Sequence, residues 1–316
     1  MKKIGFFSMG LLMLAATLSA AAYAQQFSDW SVPENVGPPV NSAELDAQPF
    51  VTKDGLSMYF VRQTGVQDIW VSHRATTDDP WGEPELLPAT VNGPTTNEAT
   101  PFVTVDGHWL YFVSNRAGGV GRNDIWVSWR PNKRVDSGPG GWQAPVNLGR
   151  NVNSNQREQA PVLFEDELTG VITLYFNSDR SGNDDIYAST MQPDGSFGPA
   201  SPVSELNTGS IEQQPTVSRN GREIYFISDR PGSLVGAEGL PSPDIWVSTR
   251  SSTLEAWSEP EPATMLNSPF HEGRPSLSFD GSTIYFHSAE RVGNVSICCF
   301  DIWMATREKL QGSDDN

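Results

Sequence analysis

Hydrophobic and aromatic residues come along this chain in short runs separated by polar, turn-forming stretches. Met58-Tyr59-Phe60-Val61 is followed by Ile69-Trp70-Val71, and the pair returns as Leu110-Tyr111-Phe112-Val113 with Ile125-Trp126-Val127. It returns again as Leu174-Tyr175-Phe176 with Ile186-Tyr187, as Ile224-Tyr225-Phe226-Ile227 with Ile245-Trp246-Val247, and as Ile284-Tyr285-Phe286 with Ile302-Trp303-Met304. Short runs rich in β-branched and aromatic residues, bounded by Gly, Pro, Asn and Asp, predict strands and not helices. Each pair follows a further short segment and a turn: Asp54-Gly55, Asp106-Gly107, Asn220-Gly221 and Asp280-Gly281 mark tight hairpins, while the third copy stretches its turn from Asp166 to Gly170.

Ahead of every hairpin an acid stands three places before a proline: Asp46–Pro49, Glu98–Pro101, Glu158–Pro161, Glu212–Pro215 and Glu272–Pro275. These prolines are 52, 60, 54 and 60 residues apart, a period that marks a repeat array. A fourth strand opens on an aromatic residue at Trp81, Trp142, Phe197 and Trp257, and four antiparallel strands make one propeller blade. The fifth copy lacks this strand. The segment Trp30-Ser31-Val32-Pro33 near the start is the matching orphan, leading to Asn41 as the others lead to Asn92, Asn153, Asn207 and Asn267. The expectation is an all-β, five-bladed β-propeller closed by the N-terminal strand joining the last blade.

Lys2 and Lys3 before an apolar run and Ala22-Tyr23-Ala24 read as a signal peptide over residues 1–24. The propeller is then expected over 25–307, with 308–316 an acidic, disordered tail. The mature protein is expected to be periplasmic or secreted and monomeric, without an integral membrane segment. The net charge of −17 becomes −19 without Lys2 and Lys3, and such a surface repels nucleic acid and anionic lipid. The two cysteines are neighbours, Cys298-Cys299, either plain loop residues, a strained vicinal disulfide or thiol ligands.

The pattern of Pro, Asp-Gly, Tyr-Phe-x-Ser-Asp-Arg and Asp-Ile-Trp resembles the WD40-like (PD40) repeats of TolB-like β-propellers. The resemblance covers nearly the whole mature chain and implies the propeller fold. It also implies a role in protein–protein contacts, as for many members of that superfamily. Five-bladed propellers of similar build include glycosidases with acidic residues around the central channel.

Strand order brings the five pre-proline acids to one channel mouth, where like charges need partners. Arg116, Arg180 and Arg230 recur in the loops between second and third strands and are expected to pair with an acid of their own or a neighbouring blade, Glu158 and Glu212 among them. At that position blade one has Thr64 and blade five Glu290, although Arg62 stands two residues earlier and Arg291 one residue later. Asp46 and Glu272 are therefore expected to be the unpaired acids, with His271 and His287 close by. Asp46, Glu98, Glu272, His271 and His287 form the candidate ligand-binding set, suited to a divalent cation such as calcium or to acid–base work. Trp109 and Trp129 fall outside both aromatic series and are the candidates for exposed contact.

The chain has no Gly-x-Ser-x-Gly elbow, His-Glu-x-x-His, Cys-x-x-Cys or P-loop. The main expectation is a non-catalytic binding scaffold that engages an envelope protein or polymer through the acidic mouth, because all five acids keep the repeat's symmetry. The alternative is a carbohydrate-active enzyme, a glycoside hydrolase or lyase, using two of those carboxyls.

Overall fold

The computed structural model describes residues 27–236, 242–289, 291, 293–295 and 300–310. The expected signal peptide, Cys298-Cys299 and the end of the acidic tail lie outside them. Five four-stranded antiparallel sheets follow one another along the chain. Blade one is Leu45–Val51, Ser57–Gln63, Gln67–His73 and Glu85–Leu86; blade two is Glu98–Val103, Trp109–Ser114, Asp124–Trp129 and Val146–Asn147. Blade three is Glu158–Glu165, Ile172–Ser178, Asp185–Thr190 and Ser201–Pro202, and blade four is Glu212–Val217, Glu223–Ser228, Asp244–Thr249 and Glu261–Pro262. Blade five is Glu272–Leu277, Thr283–Ala289 and Phe300–Thr306, completed by Glu34–Asn35 from the other end of the chain.

That last pairing is the expected latch, with Glu34 opposite Met304 and Asn35 opposite Trp303. It continues outward through Ser31 N–H to the Thr306 carbonyl (2.7 Å) and Ser28 N–H to the Glu308 carbonyl (2.8 Å), ending in a bridge between Phe27 and Lys309. Pairing therefore runs beyond the boundary expected at residue 307. Each blade is clasped to the next link by an asparagine, buried at Asn41, Asn92 and Asn153 and half-buried at Asn207 and Asn267. Asn41 accepts from Ile302 N–H and donates to its carbonyl, as Asn92 does to Ile69, Asn153 to Ile125, Asn207 to Ile186 and Asn267 to Ile245. These five side chains replace ladder bonds that the short outer strands do not supply.

The first strands of successive blades touch one another around the ring and enclose the channel. Each carries a bulge before its proline, where Gln48, Thr100, Ala160, Gln214 and Arg274 take φ values of 45° to 56°. A residue before proline is steered away from the right-handed helical region, and a bulge is where an inner strand can turn a backbone N–H out of its ladder. Between blades the core is aromatic, and Phe60, Phe112, Phe176, Phe226 and Phe286 are fully buried.

Candidate functional site

At one end of the channel the five acids are fully buried, and each is held by an arginine. Arg116, Arg180 and Arg230 pair with Glu98, Glu158 and Glu212 at 3.1, 2.9 and 2.9 Å. The expectation that Asp46 and Glu272 stand unpaired is corrected: Arg62 reaches Asp46 at 2.6 Å from two residues before Thr64, and Arg291 reaches Glu272 at 3.2 Å from one residue after Glu290. A long flexible side chain closes the gap that a fixed loop position suggested. Hydroxyls complete each site, as Thr96 and Ser114 do on Glu98 (2.7 and 2.6 Å) and Ser42 on Asp46 (2.7 Å). The five guanidiniums stack on third-strand aromatics, Trp70, Trp126, Tyr187, Trp246 and Trp303, at 4.7 to 5.6 Å. Burial still raises the pKa of Asp46 and Glu272 despite these partners.

His271 stands immediately before the strand that opens on Glu272, and consecutive side chains entering a strand leave on opposite faces. The histidines pack on Phe300, His287 at 4.7 Å and His271 at 5.3 Å between ring centres, and not on the acids. His287 Nδ1 accepts from Gln48 N–H at 3.3 Å. Burial first, then the charges of His271 and Arg274, pull its pKa well below the usual value, so it is neutral. Gly273 is required beside it: a Cβ there would come within 2.1 Å of the imidazole. The imidazole–carboxylate pair expected at this mouth is therefore not formed.

Calcium takes 6–8 oxygen ligands in flexible geometry. Among the described residues, no group of three or more His, Cys, Asp or Glu converges in a form that could hold a metal ion. The acid oxygens at the mouth are committed to guanidinium and hydroxyl donors, so these residues do not fit the divalent cation considered from sequence.

The other end of the channel, where the hairpins turn, is built from a second series of arginines that the sequence reading missed. Arg74, Arg130, Arg250 and Arg307 directly follow the third strands and lie at 4.0 to 4.4 Å over Trp81, Trp142, Trp257 and Trp30, which precede the two-residue fourth strands and do not open them as expected. Their Nε groups donate to the hairpin carbonyls of Gly55, Gly107, Gly221 and Gly281 at 2.6 to 2.8 Å. Arg130 and Arg307 also bond the repeat tyrosine of the preceding blade, Tyr59 (3.0 Å) and Tyr225 (3.2 Å), while Arg250 and Arg74 stand near Tyr175 and Tyr285 and oppose the rise that burial gives those hydroxyls. An arginine stands at four of the five blade junctions in this way.

The fifth junction, between blades two and three, is different because Met191 occupies the arginine's position. Tyr111 is left facing Phe197 edge-on at 6.4 Å, and a cavity of about 700 Å³ opens there. It takes in the hairpin-end mouth of the channel, where the first-strand ends of all five blades meet at Phe50, Phe102, Phe164, Val217 and Leu277, and runs outward between blades two and three past Trp109, Tyr111, Met191 and Phe197. Asp106, Glu165 and Asp194 also line it, with Lys53 and Arg219 beside Phe279. Burial, then the charge of Asp106, pushes the Tyr111 hydroxyl up to about 12, which keeps it a hydrogen-bond donor. Asp106 is tied into its turn by Thr104 and His108 N–H (2.5 and 3.0 Å). Glu165 and Asp194 are exposed, and the hydroxyl and backbone N–H of Ser196 lower the pKa of Asp194. Trp109 and Trp129, each 41% exposed with rings 6.4 Å apart, extend the aromatic surface beyond the cavity rim.

No protein-family model matches the sequence, and comparison with curated proteins gives no match. Solved structures do match. An α-L-arabinofuranosidase from Lactobacillus brevis aligns with a TM-score of 0.59 at 13% identity, over 85% of this chain and 92% of that one. The catalytic domain of a GH62 α-L-arabinofuranosidase from Coprinopsis cinerea aligns at 0.57 and 14%, over 90% and 98%. An endo-arabinase from Bacteroides thetaiotaomicron aligns at 0.57 and 18%, over 91% and 100%. This chain is a five-bladed β-propeller. TolB from Acinetobacter baumannii also matches, at a TM-score of 0.45 and over 55% of its own length. The main expectation, a non-catalytic scaffold, is corrected by these likenesses: the two arabinofuranosidases and the endo-arabinase, each aligned over 85% or more of this chain, favour the alternative of a carbohydrate-active enzyme.

Proposed function

We propose that this chain is a carbohydrate-active enzyme that takes a polysaccharide into the cavity between blades two and three. The observation that carries this reading is the break in five-fold symmetry: one junction in five replaces its arginine bridge with Met191 and opens an aromatic cavity bordered by carboxylates. Sugar rings offer apolar faces and hydroxyl edges. Trp109 and Phe102 suit the first, and the Tyr111 hydroxyl and the charged rim suit the second. The end-to-end likeness to arabinofuranosidase and endo-arabinase propellers supports a pentose-containing glycan as the class of substrate.

Glycoside hydrolysis takes two carboxyls, one giving a proton to the leaving oxygen and one acting as base or nucleophile. In the cavity Glu165 ends a first strand, and Asp194 lies in the turn joining Met191 to Phe197, where its Oδ1 accepts from the hydroxyl and N–H of Ser196 at 2.6 and 3.0 Å. Asp194, held ionised by Ser196, has the character of the base or nucleophile, which assigns the proton donor's part to Glu165. Incubation of the protein with arabinan, arabinoxylan and xylan should release reducing sugar. Glu165→Gln should lower that release by about a hundred-fold or more while leaving binding intact. Absence of both binding and release across the panel would reject the proposal.

A further inference from the structure

The five channel-lining residues at the bulges form a belt. Thr100 N–H donates to Gln48 Oε1 (2.8 Å), Ala160 N–H to Thr100 Oγ1 (3.1 Å) and Arg274 N–H to Gln214 Oε1. Gln48, Thr100 and Gln214 thus each receive the turned-out N–H of the next blade. Ala160 and Arg274 have no acceptor to offer, and their places are filled from second strands: Asn177 Oδ1 takes Gln214 N–H (3.1 Å) and His287 Nδ1 takes Gln48 N–H (3.3 Å).

Arg274 therefore contributes no acceptor to the belt. It crosses from blade five to the opposite side of the channel, where Nη2 reaches the carbonyls of Pro161 and Pro101 at 3.3 and 3.5 Å. The residue is 3% exposed, and its Nε and Nη1 have no hydrogen-bond partner. No carboxylate neutralises it, because the five mouth acids each have an arginine of their own. Burial lowers its pKa to about 9, which leaves it cationic at neutral pH. A buried charge without a counter-charge is strongly destabilising. A glutamine at this position would close the belt as Gln48 and Gln214 do, so the fold itself does not call for a cation here.

We propose that Arg274 is the centre of a small-anion site inside the channel, taking a chloride ion or the carboxylate of a small acid on Nε and Nη1. This site lies in the channel next to the cavity, whose lining includes Phe102 and Val162 beside Pro101 and Pro161, and it stands or falls independently of the glycan reading.

The test is thermal unfolding of the wild-type protein in sodium chloride, sodium acetate and sodium glucuronate, against sodium perchlorate at equal ionic strength, alongside ³⁵Cl NMR line widths. A bound anion raises Tm in a saturating way, here by about 2–4 °C. Chloride should also give excess line broadening, lost several-fold in Arg274→Gln and retained in part by Arg274→Lys. A response to chloride alone assigns the site to halide, and a response to the organic acids alone assigns it to a carboxylate; either supports the proposal. Wild-type protein with the same non-saturating response to every salt and no excess broadening would overturn it, whether or not the glutamine variant folds.

Discussion

His287 shows how one side chain is set by what its neighbours lack. Because Arg274 cannot accept a hydrogen bond, the Gln48 N–H turns to His287 Nδ1, and Gly273 leaves room for the ring. Replacing His287 by Ala should destabilise the fold by about 1–3 kcal/mol in denaturant titrations, the cost of a buried N–H without a partner. The titration has a sign. A histidine whose folded pKa lies below its ordinary 6.5 contributes stability present above that value and lost as pH falls below it. His287→Gln, which keeps an acceptor, should remove this loss. Asp244 acts in the opposite sense. Its Oδ1 is buried without a partner, and burial, with the charge of Glu272 added, pushes it from 3.8 up to about 7 although Leu234 N–H opposes the shift. A carboxyl that binds its proton more tightly when folded loses stability as pH rises through that window. Asp244→Asn should be more stable than wild type at about pH 8, an advantage that vanishes near pH 4. Equal melting temperatures at both values would contradict this assignment.

At the scale of elements, the blade was legible in the sequence and the site was not. Strand runs, Asp-Gly turns and the orphan Trp30 segment each report local backbone geometry, which periodicity and turn residues encode directly. The arginine pairing of Asp46 and Glu272 was misjudged because side-chain reach was equated with sequence position. Arg74, Arg130, Arg250 and Arg307 do recur at one register position, immediately after the third strand, with Met191 as the exception. That exception was the available signal, and the prominence of the acids drew attention to the opposite end of the channel. Met191→Arg should rebuild the missing bridge to Tyr111 and fill the cavity. The variant is expected to fold, with stability within about 1 kcal/mol of wild type by thermal unfolding. A molten or insoluble product would mean that Met191 is packing the junction and not holding a cavity open.

For the whole molecule, two ends of one channel carry different duties. The acid end is a ring of five neutral arginine–carboxylate units under aromatic covers, and the hairpin end is where one junction opens. Closure depends on residues from both chain ends, since Asn35 bonds Asp301 and Asn41 while Trp30 lies under Arg307 and against Tyr225. Removing residues up to Asn35 should expose the sheet edge of blade five and abolish a single cooperative transition in calorimetry. No helix among the described residues is long and apolar enough to cross a membrane. We propose that the cavity opening between blades two and three holds the glycan. This is tested most directly by calorimetric titration of arabino- and xylo-oligosaccharides into wild-type protein, Trp109→Ala and Met191→Arg. Saturable binding to wild type, weakened at least ten-fold in both variants, is the predicted result; undiminished binding by Met191→Arg, or none by wild type, would contradict it.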